Sequence, residues 1–304
     1  MLKLTRPEGT LPEDLHATRR GLGAMFFAGY AVAGMAANAQ TPAQAIKTPE
    51  DGLTTAVFNI KTSDQQQMPA YVAYPAARGR YPVIIVVSEV FGVHEYIRDT
   101  CRRLARAGYF AIAPAFFFRA GDPASLSDTN AIQRIVTTAT NEQVISDINN
   151  AIFWAKSQPS ADKKFGITGF CWGGASVWMA MQRLPDLKAG VAWYGRIKRP
   201  ARGAFLGDEE RQWPIDVAAT IKAPVLGLYA GQDQGIPLAD TQEMRAALIA
   251  AKKRGSDIII YEKSQHGFHA DYRASYDPAA ASDGWARMLD HFSKNGLKGR
   301  PVRV

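Results

Sequence analysis

Gly169-Phe170-Cys171-Trp172-Gly173-Gly174 is the stretch on which the reading of this chain turns. Phe165–Gly169 before it is β-prone, and Trp172–Arg183 after it reads as a helix. A cysteine on a sharp strand-to-helix turn is held in strained geometry with its sulfur exposed. Its backbone also sits at a helix N-terminus, which favours the thiolate of a group that otherwise titrates near ~8.5. The flanking glycines suit such a turn, because the helix must pass close to the sheet. The alternative at this point is a buried structural cysteine, with the glycines serving packing alone.

Outward from the turn, strands alternate with helices. Thr55–Ile60 and Ala70–Tyr74 are short β-prone runs around a polar turn, an antiparallel hairpin at a sheet edge. Val83-Ile84-Ile85-Val86-Val87 is a continuous β-branched run, the mark of a strand buried on both faces. Tyr96–Ala107, Asn141–Lys156, Leu238–Lys252 and Ala279–Asn295 read as helices, and Tyr109–Ala113, Ala189–Trp193, Pro224–Tyr229 and Asp257–Tyr261 as strands. This alternation implies an α/β fold, a mainly parallel central sheet with helices on both faces. Ligands of such sheets bind at the carboxyl ends of the strands.

Two further strand ends carry polar chemistry. Asp233 follows Tyr229-Ala230-Gly231-Gln232, where an acid either orients a catalytic base or caps the next helix. His266 stands in Ser264-Gln265-His266-Gly267-Phe268-His269, just after Asp257–Tyr261, and is the candidate base. Nucleophile, acid, histidine is the chain order of α/β-hydrolases. Of the five histidines, His16 lies near the N-terminus, His291 in the closing helix, and His269 close enough to His266 to raise a metal site. No H-E-x-x-H helix supports a metal, and none is expected.

These segments together, with Ser88-Glu89-Val90-Phe91-Gly92-Val93 and His266-Gly267-Phe268-His269-Ala270-Asp271-Tyr272, resemble the dienelactone hydrolase family of α/β-hydrolases from about Thr55 to Gly296. The resemblance implies a Cys171, Asp233, His266 triad that opens an ester or lactone through a thioester, without a cofactor. It implies that Glu89 contacts the thiol at rest and swings away on binding; a Glu capping a helix or paired with Arg98 or Arg102 is the alternative. The backbone N–H groups of Trp172 and Val90 are the implied oxyanion donors. The family holds a substrate carboxylate with arginines, one soon after the histidine, where this chain has Gly267, Phe268, His269 and Ala270; Arg273 comes one turn later. Arg119, Trp193, Tyr194 and Phe268 are the expected pocket residues. The competing readings are a broad carboxylesterase or thioesterase, and a hydrolase-fold binding protein without activity.

Composition narrows the rest. The 304 residues carry a net charge of +8 with 47% hydrophobic residues, a globular balance that excludes fibrous and mostly disordered chains. Lys and Arg are scattered rather than clustered, so no nucleic-acid partner is expected; the partner is a small ester or lactone. Cys101 and Cys171 are too few for a disulfide framework, and both are expected free, Cys101 as a packing residue on an apolar helical stripe. Residues 1–39 read as a cleaved export leader: Arg19-Arg20 resembles a twin-arginine signal, Gly21 to Ala37 is uncharged, and Ala37-Asn38-Ala39 suits a signal peptidase. The expected product is periplasmic or secreted, with no lasting membrane anchor. An extended arm over 40–54, a catalytic domain over 55–296 and a tail over 297–304 complete the expected organisation, with Arg196–Pro214 as either a lid or a surface loop. Oligomeric state is not legible.

Overall fold

A computed structural model describes residues 46–200 and 211–301. The expected leader therefore lies outside the described residues, as does most of the segment read as lid or loop.

The β-prone runs form an eight-stranded sheet: β1 (Leu53–Lys61), β2 (Gln67–Pro75), β3 (Tyr81–Val87), β4 (Phe110–Pro114), β5 (Ala161–Phe170), β6 (Leu187–Trp193), β7 (Val225–Ala230) and β8 (Asp257–Tyr261). The spatial order is β1-β2-β4-β3-β5-β6-β7-β8. The β1–β2 hairpin and the β2–β4 pair are antiparallel, and every pair from β4 to β8 is parallel. All seven residues of β3 are buried, because its apolar side chains alternate between two cores. Val83, Ile85 and Val87 enter one, Ile84 and Val86 the other.

Helices cover both faces, as the alternation requires. They are α1 (Glu95–Arg106), α2 (Thr129–Val136), α3 (Asn141–Lys156), α4 (Trp172–Arg183), the single turn α5 (Pro214–Val217), α6 (Leu238–Ala250) and α7 (Pro278–Lys294). Ile97, Cys101 and Leu104 of α1 and Met288 and Phe292 of α7 fill one core. Ile132 of α2, Ile148 of α3, Trp178 of α4 and Met244 of α6 fill the other. Cys101 packs in the first as expected, and both cysteines are free thiols. α2 and the single turn α5 are the helices the sequence reading missed: α2 is only eight residues, with Ile132 and Val136 as its buried contacts, and α5 only four. The core also runs past the boundary expected at 296, since Leu297 is buried and its carbonyl accepts from Tyr109 Oη at 3.0 Å.

The chain reverses its direction across the sheet at β3. It passes to β4 on one side, then to β5 on the other, so β3 and β5 lie side by side with Val87 opposite Gly169. Glu89 and Cys171, each two residues further on, therefore leave adjacent strands at the same edge, the place where such sheets bind ligands.

Candidate active site

Cys171 caps α4 at φ 54°, ψ −116°, a strained backbone for a non-glycine residue. A Cβ on Gly169 would lie 2.3 Å from the carbonyl oxygen of Gly173, and one on Gly173 would lie 2.4 Å from that of Val87. The glycines are thus fixed by backbone contact, and the helix start is pressed onto the sheet. The N–H of Cys171 donates to Trp193 O at 3.0 Å. Trp172 opens the helix, so its N–H has no acceptor within it. One expectation changes: the sulfur is buried, with Cys171 only 1% exposed. The turn holds it below the surface, in the same buried cluster as Phe170 and Tyr194.

Asp233 and His266 meet as the chain order suggested. His266 Nδ1 lies 2.6 Å from Asp233 Oδ2, while Asp233 Oδ1 accepts from the N–H groups of Gly235 (2.8 Å) and Ile236 (3.0 Å). One oxygen anchors the carboxylate to its own turn, which aims the other at the imidazole. Gln232 N donates to Ser264 O at 3.0 Å, stapling the acid loop to the histidine loop, and Ser275 Oγ donates to His266 O at 2.7 Å within the histidine loop itself. Burial alone would lower the His266 pKa, but Asp233 and Cys171 outweigh it and raise it to about 10. Cys171 acts on the ring as both a charge and a hydrogen-bond neighbour.

Glu89 is fully buried and held by three groups. Oε1 accepts from Arg273 (3.0 Å); Oε2 accepts from Tyr272 Oη (2.6 Å) and lies 3.3 Å from His94 Nε2. Burial would raise its pKa, but Arg273, His94 and Tyr272 hold it near 2, so it is a carboxylate. The alternative partners do not hold it: Arg98 donates to Val93 O, and Arg102 to Glu95 and Asp99. Arg273, Tyr272 and His94 were the residues that sequence reasoning missed as a cluster. Their signal was faint, a turn in which Gly267 at φ 78° leaves room for the Arg273 side chain 2.7 Å from where a Cβ would be.

The four expected pocket residues disperse. Arg119 is committed to Asp147 (2.6 and 2.9 Å) and Asp64 (2.7 and 3.1 Å), a link between α3 and the hairpin turn. Trp193 is core, its indole N–H donating to Thr168 Oγ1 at 3.1 Å, and Phe268 packs behind it at 6.0 Å between ring centres. Tyr194 alone reaches the site, its ring edge-on to His266 at 5.2 Å. His269, once a metal thought, pairs through Nδ1 with Tyr96 Oη at 2.6 Å; burial and nearby Arg103 lower its pKa to about 3, leaving it neutral. A cavity of about 310 Å³ is lined by Tyr71, Gly92, Val93, Arg98 and Phe117 among others, none of them Cys171, Asp233 or His266. Phe117 also meets Trp172 at 4.8 Å.

Residues 68–296 match the model of the dienelactone hydrolase family. Two similar proteins, from Methylorubrum extorquens and Yersinia pestis, bear the name "Putative carboxymethylenebutenolidase". The first is 45% identical over 274 residues, covering 88% of this chain and 90% of its own; the second is 45% identical over 242 residues, covering 79% and 88%. A crystal structure described as a "Putative Dienelactone Hydrolase" from Klebsiella pneumoniae superimposes with a TM-score of 0.74 at 41% identity, over 80% of this chain and 99% of that one. The match over 68–296, on an eight-stranded α/β-hydrolase sheet whose strand ends gather a cysteine, a histidine and two carboxylates, means that this chain belongs to the dienelactone hydrolase family.

Proposed function

We propose that this hydrolase cleaves a carboxylic ester or lactone with Cys171 as nucleophile, His266 as base and Asp233 as its orienting acid. The observation that carries the reading is the 2.6 Å Asp233–His266 bond, with Cys171 acting on the same imidazole from a strained strand-to-helix turn. Asp233 fixes the tautomer with the proton on Nδ1, leaving Nε2 to take the thiol proton. The thiolate attacks the carbonyl carbon, and the oxyanion lies against the N–H groups of Trp172 and Val90, each worth ~3 kcal/mol in the transition state. The C–O bond breaks as the alkoxide takes the proton from His266. Water, deprotonated by the same imidazole, then attacks the thioester carbonyl, and Cys171 leaves as thiolate. Glu89, already ionised two residues beyond β3, is assigned the part of a carboxylate that steers the resting thiol.

The second reading, a broad carboxylesterase or thioesterase, draws on the arginines: Arg119 is engaged by Asp64 and Asp147, and Arg273 by Glu89. Export through the twin-arginine-like leader is part of the proposal and rests on the sequence of residues 1–39; N-terminal sequencing of the protein recovered from the periplasm checks it. The chemistry is tested by Cys171→Ala with p-nitrophenyl acetate and a panel of lactones. We expect kcat to fall by ~10³-fold or more. Full esterase activity in that variant overturns the reading.

A further inference from the structure

Residues 46–50, just outside the sheet, run along α1 instead of hanging free. Thr48 N donates to Asp99 Oδ1 at 2.5 Å, and Arg102 Nε donates to Thr48 O at 3.1 Å. Arg106 donates to Pro49 O at 3.1 Å, and the backbone of Ile46 bonds to the Asp271 carboxylate. Both carboxylates are out of solvent, Asp99 at 0% and Asp271 at 1% exposure. Arg103 joins them, with Nε 2.6 Å from Asp99 Oδ2 and its Nη2 on Asp271. One arginine thus ties α1, already gripped by the arm, to the residue that immediately precedes Tyr272 and Arg273.

Those two residues hold Glu89, and Arg273 also lies in the field of Cys171. The path from the arm to the site is therefore continuous in charged or hydrogen-bonded contacts: Thr48, Asp99, Arg103, Asp271, then two peptide bonds to Arg273. Buried ion pairs of this kind resist displacement of either partner, because the group left behind would be an uncompensated charge.

We infer that the 46–50 arm and the Asp99–Arg103–Asp271 bridge position Tyr272 and Arg273, and through them the Glu89 carboxylate that these two residues hold. The inference rests on the proposed role of Cys171 and adds the arm to that site. Arg103 and Asp99 touch no reacting atom, so they are positioning residues. A consequence concerns processing: cleavage after residue 39 leaves the arm whole, whereas cleavage beyond residue 50 removes it.

The test compares the chain beginning at residue 40 with the Arg103→Gln and Arg103→Lys variants of it, and with a chain beginning at Gly52. Two readouts are taken: the iodoacetamide alkylation rate of Cys171, and kcat and KM for p-nitrophenyl acetate. A merely structural bridge lowers the melting temperature of each variant and leaves both readouts of the folded protein within twofold of the parent. The inference predicts at least a threefold change in alkylation rate and in kcat for Arg103→Gln, with KM nearly constant, and recovery of most of it in Arg103→Lys. The chain beginning at Gly52 gives the same answer should Arg103→Gln not fold. Unchanged alkylation and kcat in either folded variant overturn the inference. Failure of the underlying reading is seen separately, in a parent chain whose hydrolysis survives loss of Cys171.

Discussion

At His266, burial and its two neighbours act in opposite directions on one proton. Burial disfavours the imidazolium, while the Asp233 carboxylate and Cys171 favour it and prevail. The acid's role is geometric as well as electrostatic, since Gly235 and Ile236 hold the oxygen that does not face the ring. In Asp233→Asn the backbone still has its acceptor, but an amide N–H then faces Nδ1 and drives the proton to Nε2. That tautomer does not accept from a thiol. We expect kcat for p-nitrophenyl acetate to fall by ~10³–10⁴-fold with the fold retained by circular dichroism. A loss under tenfold would mean that the 2.6 Å bond does not set the tautomer.

Among elements, the join between the edge hairpin and α3 depends on Arg119. Its guanidinium grips Asp147, whose side chain is wholly buried, and Asp64 in the turn between β1 and β2. Methionine at this position fills much of the volume but abandons Asp147 as a buried charge, a loss of about 3–5 kcal/mol. Urea denaturation of Arg119→Met is expected to show that loss, while KM for p-nitrophenyl acetate stays within twofold of the parent. A large rise in KM with little loss of stability would return Arg119 to the substrate pocket. The strand-to-helix turn is an element-scale device of another kind. The close approach of Gly173 to Val87 O leaves no room for a side chain there and seats the start of α4 against the end of β3, next to the turn that carries Glu89.

Over the whole molecule, two buried histidines bend the pH dependence of stability in opposite senses. The His269 pKa is lowered to about 3 in the fold, so protonation in the unfolded chain destabilises the native state as pH falls below about 6.5. That of His266 is raised to about 10, so its contribution is fully present below about 6.5 and is lost as pH rises through 10. Together they place a maximum near pH 6.5. Melting temperatures measured from pH 5 to 10 should fall on both sides of it. Cys171→Ala should flatten the alkaline side by removing one of the two groups that raise the His266 pKa, whereas an unchanged alkaline slope would detach Cys171 from that ring.

Much of this was legible before any coordinates. The all-buried character of β3 follows from five consecutive β-branched residues, and the chain order Cys171, Asp233, His266 already named three strand ends of one sheet. Local rules suffice there, because strand and helix periods and a glycine-flanked turn are properties of neighbouring residues. What the folded molecule alone decided is which distant charges meet. Glu89 finds Arg273, 184 residues away, and not Arg98 or Arg102; Arg119 is consumed by Asp147; Thr48 reaches Asp99. Such pairings depend on loop paths and on burial, which removes the competition of water and lets one partner among many in reach prevail. The amino-acid sequence by itself determined the sheet and the chain order of Cys171, Asp233 and His266, and tertiary structure chose the partners that hold the remaining charges in place.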